Sequence, residues 1–203
     1  MTTKRKESIM RILLTGFEPF GDSGINSSWE AASRIGTLSL AGTEMVVRQL
    51  PVSFRRVGNV IKELLEEIQP DVIVMLGQRS SSTSIDIERI AVNLMDSKNG
   101  DNDGYIPNET PIYSDSPLAY SSNLPVKSLR DCLTANGIEA KVSNSAGLYV
   151  CNCTYYEVLR TIEHNNLKTK AVFVHVPKIS DSIDVEHLTN AVTTIIKNIN
   201  QLI

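Results

Sequence analysis

Apolar positions along the chain switch repeatedly between short unbroken runs and a period of three to four residues. Ile12, Leu13 and Leu14 predict a strand over 11–15 that Gly16 stops, and the segment 26–34 reads as a helix with Asn26, Ser27 or Ser28 as its N-cap. A second strand over 45–50 ends at Pro51. From Phe54 onward, Val57, Val60, Ile61, Leu64, Leu65 and Ile68 repeat at helical spacing, and Pro70 marks the exit. The continuous apolar run 72–76 predicts a strand buried on both faces of a parallel sheet, punctuated by Gly77. Residues 84–94 are β-like. The stretch 97–123 is rich in Asn, Asp, Ser, Gly and Pro and has no helical period, which predicts a long irregular excursion. Val126, Leu129 and Leu133 support a helix closed by Asn136 and Gly137, and a strand over 140–144 turns at Ser145, Ala146 and Gly147. Cys151, Tyr155, Val158, Leu159 and Ile162 share one helical face, 171–174 is a strand ending at His175, and Leu188 to Ile199 line a final helix.

Strands alternating with helices of this length imply βαβ units, hence an α/β fold with a mostly parallel central sheet covered on both sides. The 84–94 segment is expected to make the sheet mixed. No repeat or linker divides the chain, so residues 10–203 read as one domain and 1–9 as a short disordered lead. A length of 203 residues suffices for a core without disulfides or a structural metal. Twenty Lys plus Arg against 23 Asp plus Glu leave no basic excess for a nucleic-acid backbone. The longest apolar run is five residues, whereas a spanning helix needs about 20, so no membrane partner is expected. Three cysteines, an odd and small number, fit a reducing cytoplasm.

Ligands of open α/β sheets gather beyond the C-terminal strand ends, and the residues there are polar and reactive. Cys151 falls in the first turn of a helix, where free amides and the dipole favour a thiolate; the same position also suits a buried packing cysteine. His175 ends an apolar strand at the sheet rim, placed either as a general base or as a structural histidine. Glu88 shares a face with Ile90, Val92 and Leu94 if 84–94 alternates, so it needs a partner, an imidazole or neighbouring Arg89, unless a bulge turns it outward. Cys151, Cys153 and His175 supply neither four ligands nor a usual metal spacing. The glycines match no nucleotide-binding fingerprint. His164 and His187 are expected to face solvent.

The ordered segments Leu14-Thr15-Gly16-Phe17-Glu18-Pro19-Phe20-Gly21, Asn26 with Ser28-Trp29-Glu30-Ala31, Gly77-Gln78, Ile87-Glu88-Arg89-Ile90-Ala91-Val92-Asn93-Leu94, Asp101-Asn102-Asp103-Gly104-Tyr105, Ser143-Asn144-Ser145-Ala146-Gly147, Tyr149-Val150-Cys151-Asn152 and Phe173-Val174-His175-Val176-Pro177 closely resemble the pyroglutamyl peptidase I (pyrrolidone-carboxylate peptidase) family of cysteine omega-peptidases. The resemblance implies an α/β/α sandwich, removal of N-terminal pyroglutamate from peptides without a cofactor, a cytoplasmic location and a homotetramer. It implies a triad of Glu88, Cys151 and His175, with Arg89 as an electrostatic helper. It further implies a pocket for the neutral lactam formed by Phe17, Phe20, Gln78 and the backbone at Tyr149 and Val150, with Asn26 supporting Gln78. Three departures stand out. Arg79-Ser80-Ser81-Ser82 replaces the family's Ala-Gly-Gly-Arg, Lys98-Asn99-Gly100 replaces Arg-Ile-Pro, and Cys153 replaces a histidine. The alternatives are a cysteine amidase with altered acyl specificity and a catalytically weak binding paralogue.

Overall fold

The computed structural model describes residues 9–202. Of the lead expected over 1–9, only the exposed Ile9 belongs to the described residues. Strands β1 (Met10–Phe17), β2 (Thr43–Leu50), β3 (Val72–Arg79), β4 (Ile85–Glu88), β7 (Ala140–Ser143) and β8 (Lys170–Pro177) form a six-stranded sheet in the order β2-β1-β3-β8-β4-β7. Every neighbouring pair is parallel except β4 against β8. Two short strands, β5 (Ile90–Val92) and β6 (Ala119–Ser121), pair antiparallel outside that sheet.

Helices α1 (Ser27–Ile35), α3 (Val126–Ala135) and α5 (Val185–Leu202) cover one face, and α2 (Val57–Ile68) and α4 (Val150–His164) the other. The two-residue period of the strands builds both cores at once. In β3, Val72, Val74 and Leu76 join the α1/α3/α5 core while Ile73 and Met75 join the α2/α4 core. In β8, Val172, Val174 and Val176 are set against Ala171 and Phe173 in the same way. Asn26 caps α1 by accepting from the Ser28 amide.

Three expectations need correction. Gly77 does not end β3, nor His175 β8: the parallel ladder continues to Arg79 and Pro177, with Gly77 in register with His175. The main-chain hydrogen bonds of two flanked strands outweigh one glycine, and a terminal proline costs the ladder little. Residues 84–94 do not alternate as one strand. At Arg89 the backbone turns away, its N–H bonding the Ser143 carbonyl and its carbonyl accepting from Ser122 (2.8 Å each). Beyond that break Ala91 and Asn93, not Ile90 or Val92, are the buried residues. Phe54 stands before α2 rather than in it. Its ring packs edge-on to Tyr149 at 5.2 Å between centroids, and its amide donates to Asp101 Oδ2 (2.8 Å).

The polar excursion after β5 is fastened down. Asp101 also accepts from the amides of Asp103 (3.0 Å) and Tyr105 (2.9 Å), and Asn102 donates to Glu18 Oε1 and the Pro19 carbonyl (2.9 Å each). The residues that read as loop composition are those that tie the loop beside the strand ends.

Candidate active site

The antiparallel register of β4 on β8 sets Asp86 opposite His175 and Glu88 opposite Phe173, so both acids share a sheet face with the imidazole. Glu88 is fully buried and His175 nearly so. Glu88 Oε1 lies 2.7 Å from His175 Nδ1. A carboxylate can only accept, so Nδ1 carries the proton and Nε2 is left with a free lone pair. The Tyr155 hydroxyl donates to the Glu88 carbonyl (3.2 Å), tying α4 to the end of β4. The partner of Glu88 is therefore the imidazole, together with Arg79, and not neighbouring Arg89.

Cys151 stands in the first turn of α4, which starts after Tyr149 with no side chain capping its amides. Its sulfur sits over β3 at Gly77. A Cβ there would lie 2.9 Å from Sγ and 2.8 Å from the Phe173 ring, so only glycine admits this approach. Since Gly77 is in register with His175, the thiol from α4 stands over the strand next to the one that carries the imidazole, on the same sheet face. Burial pushes the Cys151 thiol up to about 12, although Arg79 and its own amide act in the opposite sense. Burial likewise lowers His175, against the pull of Glu88. At the helix end, where position favours a thiolate, loss of hydration is the larger influence and opposes it. Burial thus works against the charged form of both groups, while Glu88 favours the imidazolium and Arg79 the thiolate.

A cavity of about 250 Å³ opens beside the sulfur. Phe17, Phe20, Asn26, Gln78, Tyr149, Val150, Cys151 and His175 line it, together with Val52, Ala146, Ser80 and Arg79. Phe20 and Tyr149 face each other at 6.3 Å, and the Tyr149 hydroxyl donates to the Gly100 carbonyl (3.0 Å). Asn26 does not support Gln78. Its Oδ1 accepts from Ser28 Oγ (2.7 Å) and its Nδ2 donates to the Glu18 carbonyl (3.0 Å), which fastens the turn carrying Phe17 and Phe20. Ser27 holds Gln78 instead: its amide and hydroxyl both donate to Gln78 Oε1 (2.9 Å each). Gln78 Nε2 donates to Ser80 Oγ (3.1 Å).

Arg89 is not among the cavity residues; the guanidinium at the site is that of Arg79. Of the departing segment 98–100, only the Gly100 carbonyl reaches the cavity wall, through Tyr149. Cys153 is buried in the α2/α4 core, while His164 and His187 are exposed. Asn152, which the sequence left without a role, bonds both the amide and the carbonyl of Val92 (2.9 Å each) and locks β5 onto α4. Arg79, Asp86 and Ser27 were not legible as site residues. Asp86 and Glu88 alternate with Ile85 and Ile87 along β4, and that shared spacing was the available signal.

The pyroglutamyl peptidase family profile matches residues 10–201. A pyrrolidone-carboxylate peptidase of Thermococcus onnurineus is 44% identical over 189 residues, covering 93% of this chain and 94% of the relative. One from Bacillus cereus is 39% identical over 166 residues, 82% and 77% of the two chains. Among solved structures, a mutant pyrrolidone carboxyl peptidase from P. furiosus superposes with a TM-score of 0.91 at 34% identity, covering 96% of this chain and all of the other. Bacillus amyloliquefaciens pyroglutamyl peptidase I gives 0.88 at 32% identity, over 92% and 94% of the two chains. The shared length, the shared fold and the profile match agree that this chain belongs to the pyroglutamyl peptidase family.

Proposed function

We propose that the protein is a cysteine peptidase that removes N-terminal pyroglutamate from peptides, with Cys151 as nucleophile, His175 as general base and acid, and Glu88 orienting the imidazole. The observation that carries this reading is the buried 2.7 Å bond from Glu88 to His175 Nδ1 on the sheet face where Cys151 stands over Gly77. His175 Nε2 takes the thiol proton as Sγ attacks the carbonyl that joins pyroglutamate to the next residue. The oxyanion faces the uncapped amides at the start of α4, the Cys151 N–H first among them. Collapse breaks the C–N bond, His175 returns the proton to the leaving amine, and a thioester remains on Cys151. Water, deprotonated by the same imidazole, then releases pyroglutamic acid and the free thiol.

The cavity supports the choice of acyl group. It is small and mostly apolar, with aromatic rings at Phe17, Phe20 and Tyr149 and the Gln78 amide among its few polar groups. The guanidinium of Arg79 is already committed to carboxylates, which suits an uncharged lactam rather than an anionic substrate. Three free cysteines support a cytoplasmic setting, and among the described residues no helix is long and apolar enough to cross a membrane. The family resemblance extends the proposal to a homotetramer, which light scattering on purified protein tests.

Release of a fluorogenic amine from a pyroglutamyl amide under reducing conditions tests the activity, with an alanyl amide as control. Turnover of the pyroglutamyl substrate alone, lost in Cys151→Ala, is the expected result. A folded wild type that cleaves neither amide overturns it.

A further inference from the structure

Arg79 occupies the last position of β3, and its side chain reaches across β8 to β4. Nη1 lies 2.8 Å from Asp86 Oδ2, and Nη2 lies 3.0 Å from Glu88 Oε1 and 2.7 Å from the Ser145 carbonyl. Both carboxylates have fully buried side chains, while that of Arg79 is 23% exposed. The oxygen it touches on Glu88 is the one that accepts from His175 Nδ1, and the other oxygen, Oε2, has no partner. Two like charges on one short strand therefore meet a single guanidinium, which lies along the cavity wall beside the imidazole.

Buried carboxylates are stable only when paired. Two of them next to His175, with no cation, would hold a proton on the imidazole and remove the base the reaction needs. The charged groups facing His175 are Glu88 and Asp86 from β4 and Arg79 from β3, with the Cys151 thiol from α4. Lys141 on β7 is 3.4 Å from the far oxygen of Asp86 and largely exposed, a weaker neighbour. We propose that Arg79 is a positioning residue for the reaction: spanning β8, it holds Asp86 and Glu88 in place and offsets their charge so that His175 stays a neutral proton acceptor. The direction of its influence agrees, since Arg79 lowers both His175 and Cys151. The resemblance gave an alanine at position 79 and its arginine at position 82, so the cation of this segment stands three residues earlier in this chain.

The inference rests on the roles proposed above for Cys151, His175 and Glu88, so its test includes a readout that needs no substrate. The kcat/KM profile for a pyroglutamyl amide is measured against pH, together with the rate of Cys151 alkylation by iodoacetamide followed by peptide mass mapping. In Arg79→Gln the acid limb should move to higher pH by about one unit, because only the exposed Lys141 then opposes the carboxylates. Alkylation at about pH 8 should slow several-fold, as the thiolate loses its nearest cation. Arg79→Lys keeps the charge but cannot fork, and it should hold the limb near its wild-type position while kcat/KM falls. If Arg79→Gln fails to fold because Asp86 Oδ2 loses its guanidinium, Arg79→Gln/Asp86→Asn against Asp86→Asn alone should show the same two shifts. A folded variant with an unmoved limb and unchanged alkylation overturns the proposal. A wild type inert toward pyroglutamyl amides, with alkylation still slowed in Arg79→Gln, would sink the peptidase reading and uphold the electrostatic role of Arg79.

Discussion

The two faces of the central sheet are made by the same strands and differ in kind. Toward α1, α3 and α5, β3, β4 and β8 present Leu76, Ile85, Ile87, Val174 and Val176, all buried and aliphatic. Toward α2 and α4, the intervening positions carry Gly77, Arg79, Asp86, Glu88 and His175, with Phe173 beneath them. Both faces supply burial, worth about 25 cal/mol per Å² of apolar surface removed from water, but at these strand ends only the second also supplies reactive geometry. An alternating strand lets both requirements be met residue by residue, because a change on one face leaves its neighbours on the other in place.

The sharpest way to break this comparison is to alter one residue on each face. Gly77→Ala inserts a methyl into the space of the Cys151 sulfur and the Phe173 ring, and kcat/KM should fall by on the order of 100-fold or more. Leu14→Ala, in the aliphatic core, should cost about 2–5 kcal/mol in denaturant unfolding and leave kcat per folded molecule unchanged. Comparable losses of activity from both would show that the faces are not separable.

Acid tests the reactive face by itself. Burial holds His175 below its ordinary value near 6.5, so the acid limb of kcat/KM should lie below about pH 6.5. Stability follows the same sign. Between the folded and unfolded values the unfolded chain takes up the proton, so stability is intact above about 6.5 and is lost as pH falls through the folded value. A limb at or above 7 would mean that Glu88 outweighs burial. The smallest effect is expected at Cys153, two residues from the nucleophile but packed in the α2/α4 core. Cys153→Ala should cost roughly 1 kcal/mol and keep full turnover, as measured by chemical denaturation and amide hydrolysis.

The strand and helix order was legible because it is written in local periodicity: the helical spacing from Val57 to Ile68 and the unbroken run 72–76 each reappear as elements. Where periodicity is interrupted by long-range partners, the reading failed. Arg89 breaks 84–94 because the Ser143 and Ser122 backbones bond it from elsewhere in the chain, and no spacing within the segment signals those partners. The candidate site was legible in its types and not in its pairings. Cys151, His175 and Glu88 could each be singled out, yet whether Glu88 met an imidazole or a neighbouring arginine stayed open until the β4–β8 register was known. Arg79 went unrecognised for the same reason, since in the sequence it precedes a run of serines and nothing local marks it as a bridge.

By itself the sequence determined the layered α/β architecture, the assignment of alternate residues to opposite faces and the supply of a thiol at a helix start, because backbone sterics and burial of apolar surface act over a few residues. Tertiary structure decided which acid holds the imidazole, which arginine answers the acids and how far burial opposes the helix end at the thiol. Those depend on hydrogen bonds and dehydration between groups up to 87 residues apart, brought within 3 Å by strand register.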